Sequence, residues 1–287
     1  RLFVNHESRY ANAELGDGGG MTWFEVKQEG GQWQVVSPFH HIDFSEVGGT
    51  WHNCGGTVTP HGTILTAEEY PPSSNKALYH EGEHFTDTSD FNGLKRNENM
   101  GWMVEIDPET GQPLHKLISM GRYSHEDAHC MPDGKTVYLT DDFSPAVFFK
   151  FVADEAGDYT TGTLYAFQEG EGGKGNWIAL PKDTQSLINI REVALTMGAT
   201  AFIRHEWVDG VGDMIYITES GSDDFDWNKV IVIGGKPASY LTRKDNNVFD
   251  DPHGRILALN TKTDELSVLI EGGVISGEDA FSSPDGL

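Results

Sequence analysis

The sequence predicts an all-β fold of the β-propeller class. The 287 residues include 34 glycines and 12 prolines and show no long helical periodicity, which is typical of turn-rich β proteins. Residues 101–111 alternate apolar and polar side chains and end in a proline-containing turn, as an antiparallel strand with a tight exit does. One pattern then recurs along the chain: a segment that carries an acidic or thiol side chain is followed by a turn and then by an apolar strand. This repeat favours propeller blades.

Residues 51–69 are the central stretch of this pattern. Cys54 stands before a Gly-Gly pair, a Pro-His-Gly turn follows, and an alternating apolar run ends in Glu68 and Glu69. A strand between two turns would bring Cys54 and the two acids to loop ends near one face. Because a thiolate and carboxylates raise one another's pKa when no positive charge is present, the stretch predicts a ligand set for a cation.

Cys54, Glu126, Glu206 and Asp279 occupy equivalent points of the repeat. Their spacing of roughly 70 to 80 residues exceeds the ~40–50 residues of a four-stranded blade with short loops, so we expect about four blades with long insertions. Both ends of the chain have strand-like or turn-like sequences. We therefore predict a single propeller domain over residues 1–287 that is truncated at both ends. A β-sandwich is the alternative, but it does not predict a recurring acidic residue.

Equivalent points on successive blades converge around the central channel of a propeller. We therefore expect one anionic well formed by Cys54, Glu126, Glu206, Asp279 or Asp285, Glu7, Glu68, Glu69, Asp141 and Asp142. Two carboxylates about 4 Å apart repel by roughly 4 kcal/mol at an effective dielectric near 20, so the well favours several bound metal ions. Carboxylates suit hard cations such as calcium, whereas a thiolate among them suits iron or another transition metal.

Individual residues keep alternative interpretations. Cys54 is either a metal ligand or a small buried apolar residue, and Cys130, in a predicted core strand, is expected to pack. The two cysteines could also pair in an oxidising compartment. Arg204 lies on the same side of an extended segment as Glu206, where it either grips a phosphate or carboxylate or pairs with an acid. Most of the 12 histidines are expected to support ligands or lie on the surface, since no His-Glu-x-x-His motif occurs.

Charge and motifs exclude several function classes. The formal net charge is −25, from 45 acids and 20 bases, which argues against a nucleic acid or an anionic membrane as partner. No apolar stretch approaches the ~20 residues of a membrane helix. The sequence contains no Gly-x-Ser-x-Gly, P-loop or Rossmann fingerprint, so the serine hydrolase and nucleotide-binding classes lose support.

Short motifs are spread over nearly the whole chain, namely Asn5-His6-Glu7, Asn53-Cys54-x-Gly56, Thr59-Pro-x-Gly-Thr63, Glu68-Glu69, Gly101-Trp-x-Val-Glu-Ile-Asp-Pro108, Gly121-Arg-x-x-His-Glu126, Arg204-x-Glu206-Trp207 and Ser283-Pro-Asp285. In their order and content they resemble the PhoX-type alkaline phosphatase family. The resemblance implies a six-bladed propeller with an iron–calcium cluster (Fe³⁺ and Ca²⁺) at the channel mouth. It also implies hydrolysis of small phosphomonoesters by a secreted or periplasmic enzyme.

The resemblance assigns roles residue by residue. Cys54 would ligate ferric iron, Arg204 would bind the substrate phosphate, and these two with Glu206 would form the catalytic set. The metal ligands would be Cys54, Glu69, Glu126, Glu206 and Asp285, with Glu7 and Asp279 added by their phase in the repeat. The sequence departs from the family at His205, where proline is common. It also has nothing after Leu287, where closing strands and further acidic ligands are expected.

Two other functions remain open at this point. A calcium-dependent propeller hydrolase of another class, such as a lactonase, would use acids and histidines without iron. A propeller that binds metal ions or a ligand without catalysis would show the same acidic residues. The sequence carries no indication of the natural substrate or the oligomeric state.

Overall fold

Short β-strands joined by tight turns make up most of the structure, as the sequence predicts. The computed structural model describes residues 1–8, 19–78, 89–238, 240, 248–273 and 281–286. Within these ranges the strands are β1 (Leu2–Asn5), β2 (Met21–Phe24), β3 (Val26–Glu29), β4 (Gln32–Val35), β5 (His40–His41), β6 (Asn53–Val58), β7 (Ile64–Glu68), β8 (Met103–Asp107), β9 (Gln112–Lys116), β10 (His125–Cys130), β11 (Thr136–Asp141), β12 (Phe149–Glu155), β13 (Asp158–Glu169), β14 (Gly175–Ala179), β15 (His205–Val211), β16 (Met214–Glu219), β17 (Ser222–Asp226), β18 (Val248–Asp251), β19 (Arg255–Asn260) and β20 (Glu265–Glu271). The helices are α1 (Asn75–Leu78), α2 (Thr184–Ile188) and α3 (Ile190–Met197).

In the part of the chain that the structure describes, the larger sheets are four antiparallel meanders. Their strand orders are β1-β2-β5, β6-β7-β8-β9, β10-β11-β12-β13-β14 and β15-β16-β19-β20. The first strands of the last three sheets lie side by side, with β10 packed against both β6 and β15. Sheets that meet along their first strands are propeller blades, so the predicted fold class is confirmed. Two small hairpins, β3-β4 and β17-β18, project from this framework.

The turn between β10 and β11 shows how local sequence sets the strands. Gly134 adopts a positive φ of 66°, which glycine tolerates without steric cost. The Asp133 carboxylate accepts hydrogen bonds from the backbone N–H groups of Lys135 and Thr136, each at 2.8 Å. The Met-Pro-Asp-Gly sequence therefore closes the hairpin.

Apolar side chains from the strands fill the space between adjacent sheets. Trp102, Leu139, Phe149, Ile217 and Leu257, from successive blades, belong to one buried cluster. A smaller buried cluster joins the first sheet to the second and contains Met21, Ile42, Phe44, Val47, Ile64, Val104 and Ile106. Within the described residues, no helix combines the length and the apolar character needed to cross a membrane.

Each of the three adjacent first strands carries a β-bulge near its start. The strand register shifts between Asn53 and Gly56 in β6, between residues 125 and 128 in β10, and between residues 205 and 208 in β15. A bulge turns side chains out of the regular alternation of a strand. The bulges therefore set the directions of the side chains at residues 54, 126 and 206.

Gly55 lets the first strands of two blades approach closely. A Cβ atom at this position would lie only 2.3 Å from the backbone oxygen of Glu126. We expect Gly55→Ala to lower the free energy of unfolding by about 1–3 kcal/mol, because the strands must move apart to admit the methyl group. Urea unfolding of the purified variant measures this loss.

Val58→Ala on the same strand is the matched control. Its side chain is 68% exposed, so we expect a change within about 0.5 kcal/mol. Equal stability of the Gly55→Ala variant and the wild type would contradict the close approach.

Candidate metal centre

A cavity of about 430 Å³ opens at the ends of the strands where β6, β10 and β15 begin. We call it the acidic cavity, defined by the carboxyl and thiol side chains of Glu7, Cys54, Glu69, Glu126, Asp142, Glu206 and Asp285. Arg204, Tyr70 and Trp207 complete much of its wall. The structure thus brings together residues that are far apart in sequence.

Topology explains why these residues meet. Cys54, Glu126 and Glu206 are each the second residue of a first strand, inside its bulge. Glu69 and Asp142 each directly follow the second strand of a blade. Both sets lie at the same end of antiparallel hairpins, so adjacent blades deliver them to one place.

The potential metal ligands form three overlapping groups within the described residues. Their members are Glu7, His52 and Glu69, then Cys54, Glu69 and Glu126, and then Glu126, Glu206 and Asp285. The ligand atoms of each group lie within 4.8 Å of one another. Glu69 and Glu126 each belong to two groups, so the candidate ligand sets are contiguous.

Contacts inside the acidic cavity are short. The Cys54 thiol donates a hydrogen bond of 2.9 Å to the Glu126 carboxylate and lies 3.9 Å from the nearer Glu7 oxygen. His52 Nδ1 is 2.9 Å from a Glu69 oxygen. Ser220 donates a hydrogen bond to Glu206.

Burial and mutual repulsion raise the pKa of these groups. Burial, followed by the charges of Asp142 and Glu7, raises the pKa of Glu69 to about 9. Burial and the charge of Glu69 raise the pKa of Glu126 to about 10. Burial and the charge of Asp142 raise the pKa of Glu206 to about 8, although Ser220 and Arg204 act in the opposite direction. Burial and Glu126 likewise raise the pKa of Cys54 far above its usual value.

The ligand set of the acidic cavity fits bound metal ions. The raised pKa values of Glu69, Glu126, Glu206 and Cys54 favour their protonated forms when no cation is bound, and a bound cation favours their charged forms. The oxygen-rich groups suit a hard cation such as calcium. The group that contains the Cys54 sulfur suits a transition metal.

Two acids that the sequence placed in this well lie elsewhere, and the prediction for them is wrong. Glu68 and Asp141 precede Glu69 and Asp142, and the alternation of a strand directs consecutive side chains to opposite sides. Glu68 lies 2.7 Å from Lys116 Nζ, and Asp141 lies 2.5 Å from Arg191 Nη2. Both carboxylates are fully buried in ion pairs beneath the acidic cavity.

The third blade repeats this buried ion pair. Glu219 lies 2.9 Å from Arg255 Nη1 and 3.2 Å from His205 Nε2. His205, the departure from the family pattern, is fully buried, with its ring 4.4 Å from that of Phe202. It therefore supports Glu219 and does not face the cavity.

Arg204 pairs with two acids of the cavity. Its Nε is 2.9 Å from Asp142 Oδ1, and its Nη2 is 2.9 Å from Glu206 Oε1. The side chain is still 42% exposed. The structure thus shows the acid pairing that the sequence left open, while the guanidinium remains accessible to an anion.

Several sequence predictions can be checked directly. Cys130 is buried in the core, as predicted, and both cysteines are free, so the alternative of a disulfide is wrong. Asp279 lies outside the described residues, and its predicted role stays a prediction. Sequence reasoning missed His52 and Tyr70. Their only signal was their place in the sequence, since His52 lies two residues before Cys54 and Tyr70 directly follows Glu69.

Comparison with known proteins gives a family and a structural relative. The family model described as "Alkaline phosphatase PhoX" matches residues 26–287, which confirms the resemblance. The solved structure of Pseudomonas fluorescens PhoX in complex with vanadate, a transition state analogue, matches with a TM-score of 0.67 and 24% identity. The match covers 94% of this chain and 63% of that chain, so this chain spans less than two thirds of the relative. A search of curated proteins gives no significant match.

The buried ion pairs lead to a stability prediction. Arg191→Met leaves Asp141 buried without its cation, and we expect a loss of about 3–5 kcal/mol in the free energy of unfolding. Adding Asp141→Asn removes the unpaired charge, so the double variant should recover part of that loss. Urea unfolding of both variants tests this, and a double variant that is no more stable than Arg191→Met would contradict it.

Proposed function

Because the chain belongs to the PhoX alkaline phosphatase family, we propose that it hydrolyses phosphomonoesters in the acidic cavity. The observation that carries this proposal is the placement of Arg204 beside three overlapping groups of metal ligands. An arginine that can bind a phosphate through two N–H groups, next to bound cations, is suited to phosphoryl transfer.

We assign iron and calcium as the metal ions. Cys54 and Glu126 would hold iron, since a thiolate prefers a transition metal to calcium. The all-oxygen group of Glu126, Glu206 and Asp285 would hold calcium, and the carboxylates of Glu7 and Glu69 would offer further oxygen ligands to a hard cation. When bound, the metal ions would neutralise the phosphate oxygens and activate the attacking oxygen. Asp279 remains a proposed additional ligand.

The chain's own residues would bind and orient the substrate. Arg204 would bind the phosphate oxygens, and Glu206 would hold Arg204 through the contact with Nη2. A cavity of about 430 Å³ leaves room for a small leaving group beside the phosphate. The vanadate bound to the Pseudomonas fluorescens relative supports the same substrate chemistry for this chain. Family membership also leads us to propose a secreted or periplasmic location.

Cys54→Ala tests the iron assignment. We expect the variant to lose iron and its visible absorbance, and turnover of a chromogenic phosphomonoester to fall about a hundredfold or more, because a ligand that holds a catalytic cation is gone. Elemental analysis, absorption spectroscopy and the colorimetric assay measure these effects.

Cys130→Ala is the matched control, since that cysteine is buried in the core away from the cavity, and it should keep both metal and activity. Full activity of Cys54→Ala would contradict the proposal. Parallel assays with a phosphodiester and a lactone separate the alternatives. Lactone turnover by an iron-free protein would favour a calcium-dependent lactonase, and no turnover of any substrate would favour metal binding alone.

Removal of the metal ions should reduce both activity and stability. A ligand that binds the folded state at 100 times its Kd adds about 2.7 kcal/mol of stability, so dialysis against EDTA should lower the Tm and abolish turnover. Calcium added back should restore the Tm. Thermal unfolding and the phosphatase assay follow the two effects, and an unchanged Tm with full activity after EDTA would contradict the metal centre.

A further inference from the structure

The Asp142 carboxylate lies between Arg204 and Tyr70. Its Oδ1 accepts a hydrogen bond of 2.9 Å from Arg204 Nε, and its Oδ2 accepts one of 3.3 Å from Arg204 Nη2. The Tyr70 hydroxyl donates a second hydrogen bond to Oδ2. A buried carboxylate, with a side chain only 2% exposed, therefore grips an arginine that is 42% exposed.

The backbone of Arg204 is fixed as firmly as its side chain. Its φ of 49° lies in the left-handed region, which is uncommon for a residue other than glycine. Its N–H donates to the Phe143 oxygen at 2.8 Å, and its own oxygen accepts from the Ser220 N–H at 3.2 Å. These hydrogen bonds hold the strained backbone in place and so fix the position of the Arg204 Cα atom, from which the side chain extends.

The contacts with described residues leave Nη1 of the guanidinium for a ligand. The Asp142 carboxylate accepts hydrogen bonds from Nε and Nη2, and Glu206 contacts Nη2 at 2.9 Å. Among the residues that the structure describes, none accepts a hydrogen bond from Nη1. Nη1 therefore keeps its two N–H groups for an oxyanion, whereas Nη2 is shared between Asp142 and Glu206.

Asp142 also differs from the residues that could hold a metal ion. It belongs to none of the three groups of ligands found in the described part of the chain. Both of its oxygens are already engaged by Arg204 and Tyr70. A carboxylate with both oxygens engaged by donors is suited to orienting a side chain.

We propose that Asp142 is the positioning residue that orients Arg204 toward the substrate phosphate, and that Tyr70 supports it. This inference rests on the proposed phosphatase function. Without Asp142, the acidic partner that Arg204 keeps among the described residues is Glu206, and each phosphate that binds must first order a more flexible side chain. Preorganisation of Arg204 thus favours phosphate binding without a contact between Asp142 and the substrate.

A double-mutant cycle on the metal-loaded protein tests the proposal. The variants are Asp142→Asn, Arg204→Ala and the double substitution, and the readouts are the Kd of inorganic phosphate by calorimetry and the metal content. We expect Asp142→Asn to raise the phosphate Kd about tenfold and the KM of a phosphomonoester in parallel, with a smaller change in kcat. The double variant should bind phosphate no more weakly than Arg204→Ala alone. Metal content should stay at the wild-type level.

Two further variants keep the test decisive. Tyr70→Phe removes only the supporting hydroxyl and should raise the phosphate Kd about threefold without loss of metal, whether or not Asp142→Asn folds. Asp213→Asn, which alters a surface pair with Lys262, is the control and should change nothing.

Each contrary outcome has a distinct meaning. Loss of metal in Asp142→Asn would make Asp142 a ligand and overturn the inference. If the wild type is active, additive effects of Asp142→Asn and Arg204→Ala on the phosphate Kd would overturn the inference and leave the proposed function intact. An unchanged phosphate Kd in Asp142→Asn would have the same meaning. A wild-type protein that neither binds phosphate nor hydrolyses phosphomonoesters would overturn the proposed function and the inference with it.

Discussion

Repulsion between converging acids is the constraint on which the structure of the site depends. Glu69, Glu126 and Glu206 are almost fully buried within one cavity, where carboxylates a few ångströms apart repel by several kcal/mol. Charge is balanced at two levels. Beneath the cavity, each of three successive blades neutralises a fully buried acid with a lysine or arginine. Within the cavity, Arg204 offsets only part of the negative charge, so the remaining balance requires protons or metal ions.

The bulged first strands make this two-level arrangement possible. In a regular strand, the side chains of residues 53 and 54 would alternate strictly between the two faces. The shift in register after Asn53, His125 and His205 releases the following residue to face the cavity, while the first residue stays buried opposite the acid of the second strand. A single backbone device, repeated in three blades, thus separates the ligands from the ion pairs that support them.

The sequence predicts part of this site because the repeat is radial. Cys54, Glu126 and Glu206 share one phase of the repeat, and equal phase in a propeller means convergence. Glu68 and Glu69 are adjacent and chemically identical, so only strand register decides which one faces the cavity, and register depends on bulges that the sequence does not reveal. His52 and Tyr70 were missed for a similar reason. Their φ values of 47° and 42° turn the chain back toward the cavity, a conformation that neither residue type predicts. Arg191, the partner of Asp141, comes from a helix on a long connection between blades, and composition gives no means of pairing the two.

On the proposed function, the charge of the protein would also set the order in which metal ions and substrate bind. A phosphomonoester is an anion, the chain carries a formal net charge of −25, and the cavity walls are mostly acidic. Arg204 cannot attract such a substrate alone, because Asp142 and Glu206 already offset its charge. Cations held by the carboxylates would reverse the local potential, and Nη1 of Arg204 would then add direction to the attraction that the metal ions supply. On the proposed function, metal loading would therefore precede substrate binding, and Arg204 would orient the phosphate more than attract it.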